Sequence, residues 1–167
     1  MGSTKDNLAA AFAGESQANR RYLVSAEKAD AEGNAQIARL FRAAAAAETV
    51  HAKSHLRVLG IMGNTKENLA AAIEGELHEF TNMYPEFIEQ AKKDGDNQAL
   101  RSFDYANAVE KTHHDLYTAA LAALNAGTEL PEGSYYVCPI CGHTEFGSPP
   151  DKCPVCGAPG SKFEEID

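Results

Sequence analysis

The feature that most restricts the fold of this chain is that it repeats itself. Thr4-Lys5-Asp6-Asn7-Leu8-Ala9-Ala10-Ala11-Phe12-Ala13-Gly14-Glu15 returns as Thr65-Lys66-Glu67-Asn68-Leu69-Ala70-Ala71-Ala72-Ile73-Glu74-Gly75-Glu76, with three of the twelve positions changed and an offset of 61. Further on, Tyr22 matches Tyr84, Arg39-Leu40-Phe41 matches Arg101-Ser102-Phe103, and Glu48-Thr49-Val50-His51 matches Glu110-Lys111-Thr112-His113, now with an offset of 62. A repeat of this length is one supersecondary unit used twice.

The unit is helical. Residues 1–126 are rich in Ala, Leu, Glu and Arg and hold one proline, Pro85, a composition of strong helix formers. Gly33, Gly60 with Gly63, Gly95 and Gly127 punctuate the region, as glycine does just past helix ends. Asn34, Asn64 or Thr65, and Asp96 then offer caps for the next helix. The pattern predicts helices at 4–31, 35–59, 65–93 and 97–125, each about 40 Å long at 1.5 Å per residue. Short connections make each pair antiparallel, so the fold class is an all-α four-helix bundle built from two related hairpins. The step from 61 to 62 falls between Glu76 and Tyr84, inside the third helix. A helix absorbs one inserted residue as a π-bulge, and Pro85 just beyond removes a backbone donor and favours a kink.

The repeat carries chemistry. Glu48 and His51 share a helix face, as do Glu110 and His113. Glu15 and Glu76 hold the equivalent place on the other helix of each hairpin. Two-fold symmetry brings one Glu from each of two helices and a Glu-x-x-His from each of the other two to one centre. That set is a two-metal carboxylate site of the ferritin-like kind. Several carboxylates gathered in a helical interior cost several kcal/mol each unless cations neutralise them. On spacing alone iron and manganese both suit it. Glu79 lies one turn beyond Glu76, where the repeat has Ala18; spacing leaves it either a solvated carboxylate or a seventh ligand. Tyr22 and Tyr84 lie on the ligand face, either as ordinary core residues or as O–H donors to the carboxylates. His55, His78, His114 and His143 read as non-ligands.

All four cysteines lie in the last segment. Cys138-Pro139-Ile140-Cys141-Gly142 and Cys153-Pro154-Val155-Cys156-Gly157 are matching knuckles, and four thiolates so spaced make a tetrahedral site for zinc or iron. Pro and Gly crowd residues 127–167, dividing the chain into a bundle (1–126), a linker (127–134) and a small metal-stapled domain (135–167) too short to stand without its metal. Fifteen Lys and Arg against twenty-four Asp and Glu give a net charge of -9, which argues against nucleic acid and anionic membranes as partners. No export signal or spanning segment is evident, which together with the thiol pairs points to a cytoplasmic location.

Ala13-Gly14-Glu15-Ser16-Gln17-Ala18, Glu48-x-x-His51-Ala52-Lys53, Gly75-Glu76-x-x-Glu79, Met83-Tyr84-Pro85 and Glu110-x-x-His113, followed by the two Cys-Pro-x-Cys-Gly knuckles, resemble the rubrerythrins over essentially the whole chain. The resemblance implies a non-haem di-iron site and a mononuclear Fe(Cys)4 site in a rubredoxin-like domain. It implies a peroxidase that reduces hydrogen peroxide to water in oxidative-stress defence. Electrons would come from rubredoxin or an NAD(P)H-dependent flavoprotein, in a homodimer or larger homo-oligomer. Carried over by position, Glu48 and Glu110 bridge the irons, Glu15 and Glu76 are terminal carboxylates, and His113 is a permanent ligand. Glu79 and His51 exchange on one iron with its redox state. The rival reading is a ferroxidase or iron-handling protein of the ferritin-like class, against which the electron-returning cysteine domain argues.

Overall fold

The structure, a computed structural model, describes residues 2–166. It divides into two compact units, one up to Gly63 and one from Asn64 onward.

The first unit is a helical hairpin of α1 (Thr4–Ala31) and α2 (Ala35–Leu59). Ser3 caps α1 in a reciprocal box with Asp6, at 2.6 and 3.2 Å, which satisfies donors that the first turn leaves free. Its core is made of alanines: Ala18, Ala26, Ala29, Ala38, Ala45 and Ala52 are buried. Side chains this small let two helices approach closely. Asn19 stitches them further, donating from Nδ2 to the Ala45 carbonyl at 2.7 Å and to Thr49 Oγ1 at 2.9 Å.

In the second unit, α3 (Thr65–His78), a π-turn (Glu79–Met83) and α4 (Tyr84–Asp94) form one continuous rod that packs against α5 (Asn97–Ala126). Asn64 caps α3 in a second reciprocal box, with Glu67, at 2.8 and 3.0 Å. Asp6 and Glu67 are equivalent in the repeat, so the repeated opening segment is a helix-start signal used twice. The π-turn stands where the offset slips: the Tyr84 amide donates to the carbonyl of Glu79, five residues back. Pro85 follows as an early residue of α4. Thr81 donates its hydroxyl to the Leu77 carbonyl at 2.6 Å. Helix ends fall within a residue of those the glycines and caps predict, the bulge apart; Gly95 (φ 69°) and Gly127 (φ 68°) end their helices in the left-handed region.

Residues 128–134 form no regular element. After them come β1 (Tyr135–Val137), β2 (Thr144–Phe146) and β3 (Glu164–Ile166), an antiparallel sheet in the order β2-β1-β3. Tyr135 pairs with Phe146 and with Ile166, and Val137 with Thr144 and with Glu164. This small sheet meets α5 through β2, and the first cysteine knuckle lies on the same helix where Gly142 faces Val109.

Candidate metal centres

Two carboxylate–histidine clusters and one thiol cluster stand out. In the first unit, Glu15 on α1 meets Glu48 and His51 on α2. His51 Nδ1 lies 2.8 Å from Glu48 Oε2 and 3.8 Å from Glu15 Oε1. In the second unit, Glu76 on α3 meets Glu110 and His113 on α5. There His113 Nδ1 lies 2.9 Å from Glu110 Oε2 and 3.9 Å from Glu76 Oε1. The repeat is therefore one of site geometry as well as sequence. It extends to the flanking aromatics: Tyr22 lies on Phe41 with ring centres 6.1 Å apart, and Tyr84 on Phe103 at 6.3 Å.

The donor chemistry asks for cations. Burial, then a hydrogen bond and the charge of Glu110, then Glu79, push the Glu76 carboxyl up to about 7. Burial and Glu110 also raise Glu79. Burial and the charges of Glu110, Glu79 and Glu76 raise the Tyr84 phenol. These shifts mark a group of acids with too little positive charge nearby. Glu, Glu and one imidazole nitrogen within 4.8 Å of one another are spaced for one first-row ion with bonds of about 2 Å. The residues present fit a metal in each triad.

Glu79 heads the π-turn and lies within electrostatic reach of Glu110, though its oxygens do not join the converging atoms of the Glu76 triad. Tyr84 lies beside the same carboxylates, packed on Phe87 and Phe103; among the described residues of their own units, neither it nor Tyr22 has a hydrogen bond to a carboxylate. His55, His78, His114 and His143 stand outside every such cluster among the described residues. His114 turns to Asp115 at 3.1 Å, and His143 is buried with Nε2 3.2 Å from Glu145.

Cys138, Cys141, Cys153 and Cys156 converge, with Sγ–Sγ separations of 3.6 Å (Cys138 to Cys156) and 3.5 Å (Cys141 to Cys153). A disulfide would need about 2 Å. The edge of a tetrahedron with metal–sulfur bonds of about 2.3 Å is about 3.8 Å, so the four sulfurs fit a metal. Each knuckle is a tight turn of the same form: the Gly142 amide donates to the Cys138 carbonyl at 2.8 Å and the Gly157 amide to the Cys153 carbonyl at 2.9 Å. Backbone amides then face sulfur. Burial would raise the Cys153 thiol, but amides of Cys156 and Val155 and the thiols of Cys141 and Cys156 bring it down to about 7. Burial instead drives Cys141 well up, while the His143 amide pulls against that rise.

A family model described as rubrerythrin matches residues 6–121, and a second, the rubrerythrin rubredoxin-like domain, matches residues 136–164. The chain belongs to the rubrerythrin family. Rubrerythrin-2 of Clostridium acetobutylicum is 37% identical, with 96% of this chain and 95% of that protein covered. Rubrerythrin of Porphyromonas gingivalis is 37% identical over 98% and 90%, and nigerythrin of Nitratidesulfovibrio vulgaris 35% over 98% and 86%. A solved structure of nigerythrin in a partially reduced state is 34% identical, covers 99% of this chain and 88% of that one, and superposes with a TM-score of 0.59. Rubrerythrins bind iron, and this one carries both the Glu/His di-iron ligand set and the rubredoxin-like four-cysteine site. No helix among the described residues is long and apolar enough to cross a membrane.

One residue of this rubrerythrin's site escapes any sequence reading. Thr144 Oγ1 lies 3.1 Å from His113 Nε2, and the Thr144 hydroxyl donates to the Gly142 carbonyl at 3.2 Å. Thr144 belongs to no motif and is 31 residues from His113. Only the seating of the small sheet on α5 brings them together.

Proposed function

We propose that this rubrerythrin is a peroxidase that reduces hydrogen peroxide to water, consuming two electrons and two protons per molecule. The observation that carries the reading is the presence, in one chain, of two Glu/Glu/His triads and a four-thiol site. When bound, two irons in the helical ligand set supply two electrons at once, which is the demand of cleaving one O–O bond, and the four-cysteine iron supplies replacements singly. Glu15, Glu48, His51, Glu76, Glu79, Glu110 and His113 would hold the helical irons, with Glu48 and Glu110 as the bridging carboxylates and Glu79 and His51 as the pair that would exchange with redox state. Cys138, Cys141, Cys153 and Cys156 hold the third. In this scheme residues 1–126 are the di-iron bundle, 127–134 the linker and 135–167 the electron-transfer domain. Tyr22 and Tyr84 support the carboxylates. The electron donor is rubredoxin or an NAD(P)H-dependent flavoprotein, the working form a homodimer or larger homo-oligomer, and the setting the reducing cytoplasm.

Anaerobic stopped-flow mixing of the fully reduced protein tests this. Reoxidation should be far faster with hydrogen peroxide than with dioxygen, and a donor should sustain turnover. Preference for dioxygen, without turnover, would replace the peroxidase with a ferroxidase.

A further inference from the structure

We infer that Thr144 is the positioning residue of His113: its hydroxyl fixes the imidazole with Nδ1 bare and turned toward Glu110 and Glu76, and in doing so latches the cysteine domain onto α5 of its own chain. The inference rests on the metal reading above and concerns a residue outside the ligand set.

The metal reading sets the tautomer. With Nδ1 given to a metal, Nε2 must carry the ring proton, and at 3.1 Å it donates to the Thr144 oxygen. The one hydroxyl proton of Thr144 then goes to the Gly142 carbonyl, which can only accept. In the neutral ring that leaves a lone pair on Nδ1, 2.9 Å from Glu110 Oε2 and 3.9 Å from Glu76 Oε1. A lone pair aimed at carboxylate oxygens is repulsive unless a cation sits among them. Thr144 thus does for His113 what a second hydrogen-bond partner does for a metal-binding imidazole: it holds the protonated nitrogen and so fixes where the free one points.

The two halves of the repeat differ here. His51 lies at nearly the same distances from its glutamates as His113, but its side chain is 55% exposed against 28% for His113, and among the described residues of its own hairpin none bonds to its Nε2. A latched ring suits a permanent ligand and an unlatched one suits a ligand that comes and goes. The latch also has a footing. Val109 and His113 lie one turn apart on the same face of α5, and a β-carbon on Gly142 would sit 3.8 Å from Val109 Cγ1. The knuckle that carries Cys141 therefore continues, through the Gly142 carbonyl and the Thr144 hydroxyl, directly to the imidazole.

The test compares full-length wild type with T144V, which keeps the shape and loses the hydroxyl, and T144S, which keeps the hydroxyl. With zinc in the metal sites the protein is diamagnetic, and long-range proton–nitrogen NMR reads each histidine's tautomer. Wild type and T144S should show His113 protonated at Nε2, with slow exchange of that proton. T144V should exchange it at least tenfold faster and lose contacts between residue 144 and the His113 ring, while His51 signals stay unchanged. Equal exchange in T144V and wild type, or T144S behaving as T144V, would overturn the inference. If T144V does not fold, wild type alone still decides: absence of an Nε2 proton, or of a contact between the Thr144 methyl and the His113 ring, would sink it. No peroxide is involved, so a protein that fails as a peroxidase can still pass, and one that reduces peroxide can still fail.

Discussion

At the scale of single residues, the acids of the second unit carry opposite consequences with and without metal. Glu76 in the folded, metal-free protein keeps its proton to about pH 7, whereas its ordinary value is 4.5. The folded state therefore holds more protons than the unfolded one between those values, and folding weakens as pH climbs through that window. E76Q cannot ionise, so it should raise the melting temperature of the metal-free protein at pH 8 by about 3 °C and change it little at pH 4.5. In the iron-loaded protein the same substitution should lower it, because a ligand is gone. Thermal melts of both forms at both pH values check the reversal. Glu79 offers a cleaner kinetic test, since it lies apart from the converging triad. E79A should slow oxidation of the reduced protein by peroxide by about tenfold while far-UV circular dichroism stays that of wild type. Unchanged kinetics would remove Glu79 from the site.

At the scale of elements, the helices were legible because their ends are local. Asn64 with Glu67, Asp96, and the glycines after each helix carry their own signals, and the structure uses each where it stands. Asn34 is the exception: it precedes α2 without a side-chain cap. The π-turn was legible too, through an arithmetic slip in the repeat rather than any propensity. Deleting Asn82 should restore a regular helix and rotate Glu76 by about 100° relative to α4, so iron bound per chain falls while helix content by circular dichroism holds. What the sequence could not convey was contact between distant segments. Thr144 meets His113 only through tertiary seating, and spacing placed Glu79 no better than halfway between solvent and metal. The cysteine domain hides a further constraint of that kind. Gly160 is buried, and a β-carbon there would run into the Pro150 carbonyl oxygen, which is backbone and cannot swing aside. G160A should cost about 1–3 kcal/mol, read as a lower midpoint for thermal loss of the iron–thiolate absorption, with the helical transition unmoved.

At the scale of the whole molecule, stability is unevenly shared. The helical segments hold themselves through alanine contacts, caps and aromatic packing, whereas the cysteine domain has three-residue strands and a core of sulfur. So few residues bury too little apolar surface to fold alone, and metal binding supplies the rest. Removing iron with a chelator should release this domain to fast amide exchange and leave most of α5 protected. C156S should do the same without a chelator.

The seating of that domain on its own chain's α5 changes the kinetics a cell would see. A module on a leash as short as residues 128–134 faces its target at an effective concentration in the millimolar range, above what a freely diffusing competitor reaches. Its encounter with the His113 side of the helices is then first order. Diluting the protein a hundredfold, within the range where the homo-oligomer holds together, should leave the rate of that internal step untouched, and slowing on dilution there would belong to the outside donor.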